Sequence, residues 1–143
     1  MLRQVTGQTI HASAVAQAGR GLLILGASGA GKSVLALDMM ARGAALVADD
    51  RVILTREGAA LIGACPPQLA GRIEARGVGI LNAAPAGPVP LALVVDLDRT
   101  EPDRLPPLRH LSLLGVALPL VLGAGSPHLG AALRQLLLAG RSD

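Results

Sequence analysis

The stretch that decides the fold joins an apolar run to a glycine-rich segment, and it reads LLILGASGAGKS from Leu22 to Ser33. A short continuous apolar run that ends at glycine is typical of a strand buried on both faces. The residues after Lys32 carry spaced apolar side chains without Pro or Gly, which predicts a helix that ends at Gly43. The order of strand, loop and helix predicts an α/β fold.

The glycine-rich segment fits the pattern G-x-x-x-x-G-K-[ST] of a P-loop, a loop that binds nucleotide phosphates. Its members are Gly26, Ala27, Ser28, Gly29, Ala30, Gly31, Lys32 and Ser33. In such a loop the backbone N–H groups turn toward phosphate oxygens, the lysine neutralises phosphate charge, and the serine is a Mg²⁺ ligand. Lys32 is the only lysine among 13 basic residues, and a compact ammonium fits among phosphates where a planar guanidinium does not. The sequence therefore predicts a site for nucleotide phosphates and Mg²⁺.

Composition excludes several other classes of protein. The 143 residues, 51% of them hydrophobic, suffice for one domain with an aliphatic core. The chain has no Trp, Tyr or Phe on which bases could stack, and its basic residues are scattered despite a net charge of +3, so we expect no nucleic-acid partner. The apolar stretch 111–125 is too short for a helix that spans a membrane. Met1–Thr6 does not resemble a secretion signal, and a single cysteine suits a reducing compartment. We expect a cytoplasmic protein without a membrane partner.

The remaining sequence predicts further strands and one more helix. The predicted elements are strands at Thr9–Ala16, Ala45–Ala48, Val52–Thr55 and Leu91–Val95, a hairpin turn at Glu57-Gly58, a polar loop at Thr100–Pro107, strands within 111–125, and a helix from Ser126 or Pro127 to Ala139. Ser126 and Pro127 suit the N-cap and first position of that helix.

The acidic residues offer two candidate sites. Asp49 and Asp50 follow Lys32 by 17 and 18 residues, at the end of a strand expected to neighbour the P-loop strand in a parallel sheet. They fit either a solvated turn or a pair in which one carboxylate takes a proton and the other holds Mg²⁺. Asp96, at the end of an apolar strand and followed by Asp98, is the better metal candidate by pattern alone. His11, by pattern alone, fits a half-exposed structural histidine.

Four segments together resemble a known family, the catalytic C-terminal domain of bacterial HPr serine kinase/phosphorylase. They are Gly26 to Ser33, the LVADDRV run at 46–52, the GACPP run at 63–67, and the E-x-R-G-x-G-I element at 74–80. The resemblance extends from about Thr9 to the last helix and implies a P-loop fold of the HPr kinase/PEP carboxykinase-like type. It also implies a single catalytic domain over residues 1–143, in the short alphaproteobacterial form without the N-terminal regulatory domain.

The resemblance also implies a reaction and its residues. The activity would be ATP- and Mg²⁺-dependent phosphorylation of a serine on the carrier protein HPr, with possible reversal, by a homo-oligomer. The catalytic aspartate of the family falls on Asp49, and its histidine falls on His11. The neighbouring carboxylate falls on Asp50, which would bind the metal together with Ser33. Arg76 matches the arginine of the E-x-R-G element, and Arg104 matches a loop arginine associated with the phosphorylase direction.

The chain departs from the family pattern at two places. Val34 stands where the family has Glu, and the segment 118–128 lacks basic residues before His128 where the family has a basic element. Two other hypotheses therefore remain: a P-loop kinase for another hydroxylated substrate, and a nucleotide-sensing module without useful catalysis.

Overall fold

The computed structural model describes residues 7–143, and the N-terminal segment Met1–Thr6 lies outside the described residues. Residues 7–143 form eleven strands, two α-helices and one short 3-10 helix, Pro67–Leu69, in an α/β arrangement with a mixed sheet, which confirms the expected class. The strands are β1 Gly7–His11, β2 Ser13–Gln17, β3 Arg20–Leu25, β4 Ala45–Ala48, β5 Arg51–Glu57, β6 Ala60–Ala64, β7 Arg72–Ala75, β8 Gly79–Asn82, β9 Val89–Asp96, β10 His110–Leu113 and β11 Val116–Leu122; the helices are α1 Lys32–Ala41 and α2 Leu129–Ala139.

Nine strands share one sheet, and β7 and β8 form a separate hairpin. The main path runs β1-β5-β6-β9-β3-β2-β4, and β11 pairs with β9 and carries β10. Strands β3, β9 and β11 are parallel, and their last residues Leu25, Asp96 and Leu122 lie side by side. The other strand pairs are antiparallel. The carboxyl ends of the three parallel strands thus form one edge, where ligands commonly bind in α/β sheets.

The strand that leads to Asp49 does not neighbour the P-loop strand, contrary to the prediction of a parallel pair. Strand β2 lies between β3 and β4 and is antiparallel to both. It takes this place because a two-residue turn, Ala18-Gly19, joins it directly to β3. Both turn residues have positive φ, 53° and 77°, which is the backbone of a tight hairpin turn.

The core has two layers because the central strands are buried on both faces. Leu22 and Ile24 pack toward the helices against Met39 and Leu133. Leu23, which points to the opposite face of β3, packs with Leu54 and other residues of a second core cluster. This alternation confirms that the apolar run before the glycine loop is a doubly buried strand.

Two predicted boundaries are wrong. The strand expected over Thr9–Ala16 is broken at Ala12, because β1 pairs with β5 whereas β2 pairs with β3 and β4. The last helix begins at Leu129 with His128 as its N-cap residue, not at Ser126 or Pro127. The N–H of Ser126 donates to the carbonyl of Gly123, so Ser126 closes a turn before the helix.

Candidate functional site

The glycine-rich loop connects the end of β3 to the start of α1, and its backbone takes conformations that favour glycine. Gly29 and Gly31 have φ of 85° and 102°, a region that favours glycine. The ammonium of Lys32 donates to the carbonyls of Gly26 and Ala27, at 2.7 and 3.1 Å. The loop therefore holds the positive charge of Lys32 close to the N-terminal end of α1. The N-terminus of a helix attracts anions as well.

Asp49 is buried and held by three donors. Its Oδ1 accepts hydrogen bonds from the hydroxyls of Ser13 at 2.8 Å and Ser33 at 2.7 Å. Its Oδ2 accepts the backbone N–H of Glu74 at 3.0 Å. Only 8% of the residue is exposed, so a bulky acceptor has little access to this carboxylate. The arrangement joins the last serine of the glycine loop to a carboxylate, as in P-loop enzymes where such a pair lies at the Mg²⁺ site.

Asp50 has the opposite environment, although it is the next residue. Its side chain is 70% exposed, and its backbone has a φ of 71°. The imidazole Nδ1 of His11 lies 4.0 Å from one carboxylate oxygen, and Nε of Arg51 lies 3.8 Å from the other. The pairing of β1 with β5 sets His11 opposite Arg51 and so brings the histidine to the aspartate. The structure thus brings His11 and Asp50 together at the surface.

A cavity of about 290 Å³ lies in front of the glycine loop. Its lining includes Lys32, Ser33 and Asp50, together with Glu74 and Arg76. The last two come from the segment at and after the end of β7, in the hairpin that β7 forms with β8. The cavity can therefore bring a bound anion into contact with a lysine, an arginine and carboxylates from separate parts of the chain.

Arg104 does not line this cavity. It lies exposed in the loop between β9 and β10, where Arg109 and Glu101 form a two-pronged ion pair at 2.8 and 2.9 Å. The hydrogen bond from Arg109 lowers the pKa of the Glu101 carboxyl below its usual range. Arg141 also donates to the carbonyl of Pro106, so the loop is braced from two directions.

Asp96 and Asp98, the alternative acidic candidates, belong to the scaffold of the loop. Both carboxylate oxygens of Asp98 accept the backbone N–H of Ala27, at 2.9 and 3.0 Å. Asp96 in turn accepts the N–H of Asp98 at 2.9 Å. This pair therefore ties the first turn of the glycine loop to the end of β9.

The sequence did not identify two contributors to the site, Ser13 and the main chain of Glu74. Ser13 carried a weak signal, since it lies two residues after His11 in a polar alternation. The contribution of Glu74 to Asp49 is a backbone N–H, which no side-chain pattern reveals. Cys65 is near as well: burial, and then the negative charge of Asp49, raise the pKa of its thiol. A thiol with a raised pKa is a poor nucleophile.

Within residues 7–143, no three His, Cys, Asp or Glu side chains form a cluster that could hold a metal ion. Mg²⁺ commonly takes one or two protein ligands together with waters and substrate phosphates, so such a cluster is not required here. Over the same residues, neither helix is long and apolar enough to cross a membrane.

Comparisons with known proteins show which proteins the chain resembles. The chain is 45% identical over 112 residues to an HPr kinase/phosphorylase of Aromatoleum aromaticum, covering 68% of this chain and 36% of that protein. It is 40% identical over 125 residues to an HPr kinase/phosphorylase of Cupriavidus metallidurans, covering 79% of this chain and 39% of that protein. The chain thus spans well under half the length of these curated relatives.

A solved structure and a family model give the same result. The Hpr(Ser) kinase/phosphatase of Coxiella burnetii superposes with a TM-score of 0.77 at 29% identity, covering 92% of this chain and 94% of that chain. The family model described as "HPr Serine kinase C-terminal domain" matches residues 4–86, which include the glycine loop, the aspartate pair and the β7–β8 hairpin. The chain therefore belongs to the family of HPr serine kinase C-terminal domains.

Proposed function

We propose that this chain is a catalytic domain that uses ATP and Mg²⁺ to phosphorylate a serine hydroxyl of the carrier protein HPr. One observation carries the proposal: a buried Asp49 is hydrogen-bonded to Ser33 of the glycine loop, and an exposed Asp50 lies beside it on the same cavity. A phosphoryl-transfer site needs a metal-side carboxylate and a separate base at the acceptor's side. The names of the relatives support HPr as the acceptor.

The residues present fit a nucleotide phosphate and a metal. The positive φ of Gly29 and Gly31, with open space where their side chains would be, suits a loop whose N–H groups surround an anion. Ser33 and Asp49 offer the hard oxygen donors that Mg²⁺ prefers. Bound there, Mg²⁺ would neutralise phosphate charge. Lys32, whose ammonium is held by the carbonyl of Gly26, would contribute a second positive charge.

The geometry favours a division of work between the two aspartates that is the reverse of the one the family resemblance implies. The oxygens of Asp49 already accept three hydrogen bonds, and the residue is buried, which suits a carboxylate on the metal side. Asp50 is exposed to an incoming hydroxyl, and His11 lies beside it. In this proposal Asp50 takes the serine proton, and His11 orients the Asp50 carboxylate.

The surroundings of the cavity suit a protein acceptor. Three exposed aliphatic side chains lie at or near its rim: Val34, which lines the cavity, and Val78 and Ile80 on the β7–β8 hairpin. Ile80 pairs across the hairpin with Glu74, which lines the cavity. Apolar side chains surrounded by polar groups are typical of the centre of a protein interface. Arg76, which lines the cavity, would neutralise charge on the transferred phosphoryl group.

The test is phosphoryl transfer from γ-labelled ATP with Mg²⁺ to HPr from the same organism. We expect label on HPr, and none on HPr whose regulatory serine is replaced by alanine. Asp50→Asn should lower the rate by about 10²–10⁴-fold, the usual contribution of a general base, and leave ATP affinity within about twofold. Asparagine is the suitable replacement because it tolerates the positive φ of this position.

Asp143→Asn, which makes the same chemical change at the exposed C-terminal residue, is the matched control and should retain the full rate. ATP binding without label on HPr would contradict the proposal in favour of another hydroxylated acceptor or a nucleotide-sensing module. A full rate in Asp50→Asn would contradict the role of Asp50 alone.

A further inference from the structure

Another cavity lies at the opposite end of β3 from the glycine loop. It has a volume of about 290 Å³, and its wall comes from β9, β11, the loop before β10 and the end of α2. Arg20, the first residue of β3, also lines it, whereas the glycine loop follows the last residue of that strand. The cavity shares no lining residue with the one in front of the glycine loop. It is therefore separate from the proposed phosphoryl-transfer site.

Most of the residues that line this cavity are apolar. The larger ones are Leu93, Leu108, Leu120, Val121, Leu136 and Leu137. Leu108 is 69% exposed, so the aliphatic surface reaches the solvent at the loop before β10. The volume is just below the range of about 300–1,000 Å³ that sites for drug-sized ligands occupy. The cavity therefore suits a short aliphatic chain.

The polar part of the wall consists of three arginines without an acidic residue. The guanidinium of Arg109 is paired with Glu101 at 2.8 Å. That of Arg141 is paired with Asp143 at 2.9 Å, and neither acid lines the cavity. Arg20 takes part in no ion pair among the residues that the structure describes. The wall thus carries one positive charge that no acidic side chain neutralises.

We propose that this cavity binds the carboxylate of a short aliphatic acid, with the carboxylate on Arg20 and the chain among the leucines. One unneutralised guanidinium matches one negative charge, whereas a phosphate monoester would bring about two. Within residues 7–143, only Nη1 of Arg20 is engaged, by the carbonyl of Leu137 at 3.0 Å. The edge formed by Nε and Nη2 therefore remains for the ligand, and its planar fork fits the two oxygens of a carboxylate.

The first test is a titration of the unaltered chain with hexanoate, followed by NMR of the Leu and Val methyl groups. Signals of Leu93, Val121 and Leu137, which line the cavity, should shift, and that of Val34 at the glycine loop should not. Each methylene removed from water raises affinity about fourfold, so hexanoate should bind at least about tenfold more tightly than acetate. Hexanol, which has the same chain without the charge, should bind at least about tenfold more weakly than hexanoate.

The second test removes the charge with Arg20→Gln. Gln is chosen because its amide can still donate to the carbonyl of Leu137. The change should lower hexanoate affinity about tenfold or more and leave hexanol affinity within about twofold. Arg72→Gln makes the same chemical change at an exposed position of β7 outside the cavity, and it should leave both affinities within about twofold.

Several results would overturn the proposal. Methyl shifts confined to residues outside the cavity would do so, as would the absence of any shift at about 10 mM hexanoate, which occupies even weak sites for small ligands. Equal affinities for hexanoate and acetate would exclude the aliphatic contact, and equal affinities for hexanoate and hexanol would exclude the carboxylate site. Undiminished hexanoate affinity in Arg20→Gln would exclude the role of Arg20. If Arg20→Gln fails to fold, the titrations of the unaltered chain decide the question.

Discussion

The hydrogen bonds to Asp49 predict a large stability loss for a small change, Ser13→Ala. Ser13 is fully buried and donates to Asp49 Oδ1 at 2.8 Å, so no water can easily replace its hydroxyl. A hydrogen bond to a charged group contributes about 1.5–3 kcal/mol to the free energy of unfolding. We therefore expect Ser13→Ala to lower that free energy by about this amount.

The expected loss converts to a measurable melting shift. For a chain of 143 residues, the entropy of unfolding means that each kcal/mol lost from the free energy of unfolding lowers Tm by roughly 3 °C. Tm should therefore fall by roughly 5–10 °C. Scanning calorimetry measures this shift, with exposed Ser112→Ala as the matched control. A double-mutant cycle with Asp49→Asn assigns the loss to the pair, and we expect a coupling energy above about 1 kcal/mol. The reasoning about Asp49 would be refuted if Ser13→Ala had the same Tm as Ser112→Ala. It would also be refuted if the effects of Ser13→Ala and Asp49→Asn on the free energy of unfolding were additive.

Three further predictions concern the loop lysine, the hairpin arginine and the loop ion pair. Lys32→Arg should weaken ATP binding by about tenfold or more in calorimetry, because a planar guanidinium does not fit the space of an ammonium held by two carbonyls; unchanged affinity would contradict the role of Lys32. Arg76→Gln should lower the rate of phosphoryl transfer about 10²–10³-fold with little change in ATP affinity, as expected for a group that stabilises developing charge, and an effect on ATP affinity alone would contradict that role. Glu101→Gln should speed tryptic cleavage after Arg104 at neutral pH, because it removes the carboxylate that holds Arg109. The pKa of Glu101 is lowered in the folded chain, so the ionised carboxylate stabilises the fold. This stabilisation is present above the ordinary pKa of Glu and is lost as the pH falls through the lowered value. The melting temperatures of the unaltered chain and Glu101→Gln should therefore differ at neutral pH and converge in acid; a difference that persists in acid would rule out the ion pair as its cause.

The parts of the fold that local chemistry determines could be predicted from the sequence. The strand, glycine loop and helix around Lys32 follow from an apolar run, a glycine spacing and a helical periodicity, all within about twenty residues. The hairpin turn predicted at Glu57-Gly58 is equally local, although it lies one residue later, at Gly58-Ala59, because Glu57 still pairs with Ala60. The position of β4 could not be predicted, because it depends on which of several apolar strands pairs with β3. The two-residue turn at Ala18-Gly19 decides that pairing, and it lacks the Asn-Gly or Asp-Gly sequence that usually marks such a turn.

The candidate site was predicted as a set of residues but not as an arrangement. The family resemblance indicated His11, Asp49, Asp50, Arg76 and Arg104. The structure brings the first four to one region, and Arg104 lies outside it in the loop between β9 and β10. The sequence could not show which aspartate is buried, because adjacent carboxylates are chemically identical in a sequence. Their difference comes from long-range contacts: donors from β2, α1 and β7 converge on Asp49 alone.

The backbone at Asp50 explains how two adjacent carboxylates reach opposite environments. Strand β4 ends at Ala48 and β5 begins at Arg51, so the chain has two residues in which to turn from one strand into the next. Asp50 makes the turn with a φ of 71°, a conformation that costs most L residues about 1–2 kcal/mol and that Asp tolerates better. The turn leaves the carboxylate of Asp49 among its three donors and exposes that of Asp50 beside His11. Residues with an unfavourable backbone conformation often occur at functional sites, which agrees with the role that we propose for Asp50. In the proposed reaction, the same turn would provide a fixed carboxylate for the loop and an accessible one for the acceptor.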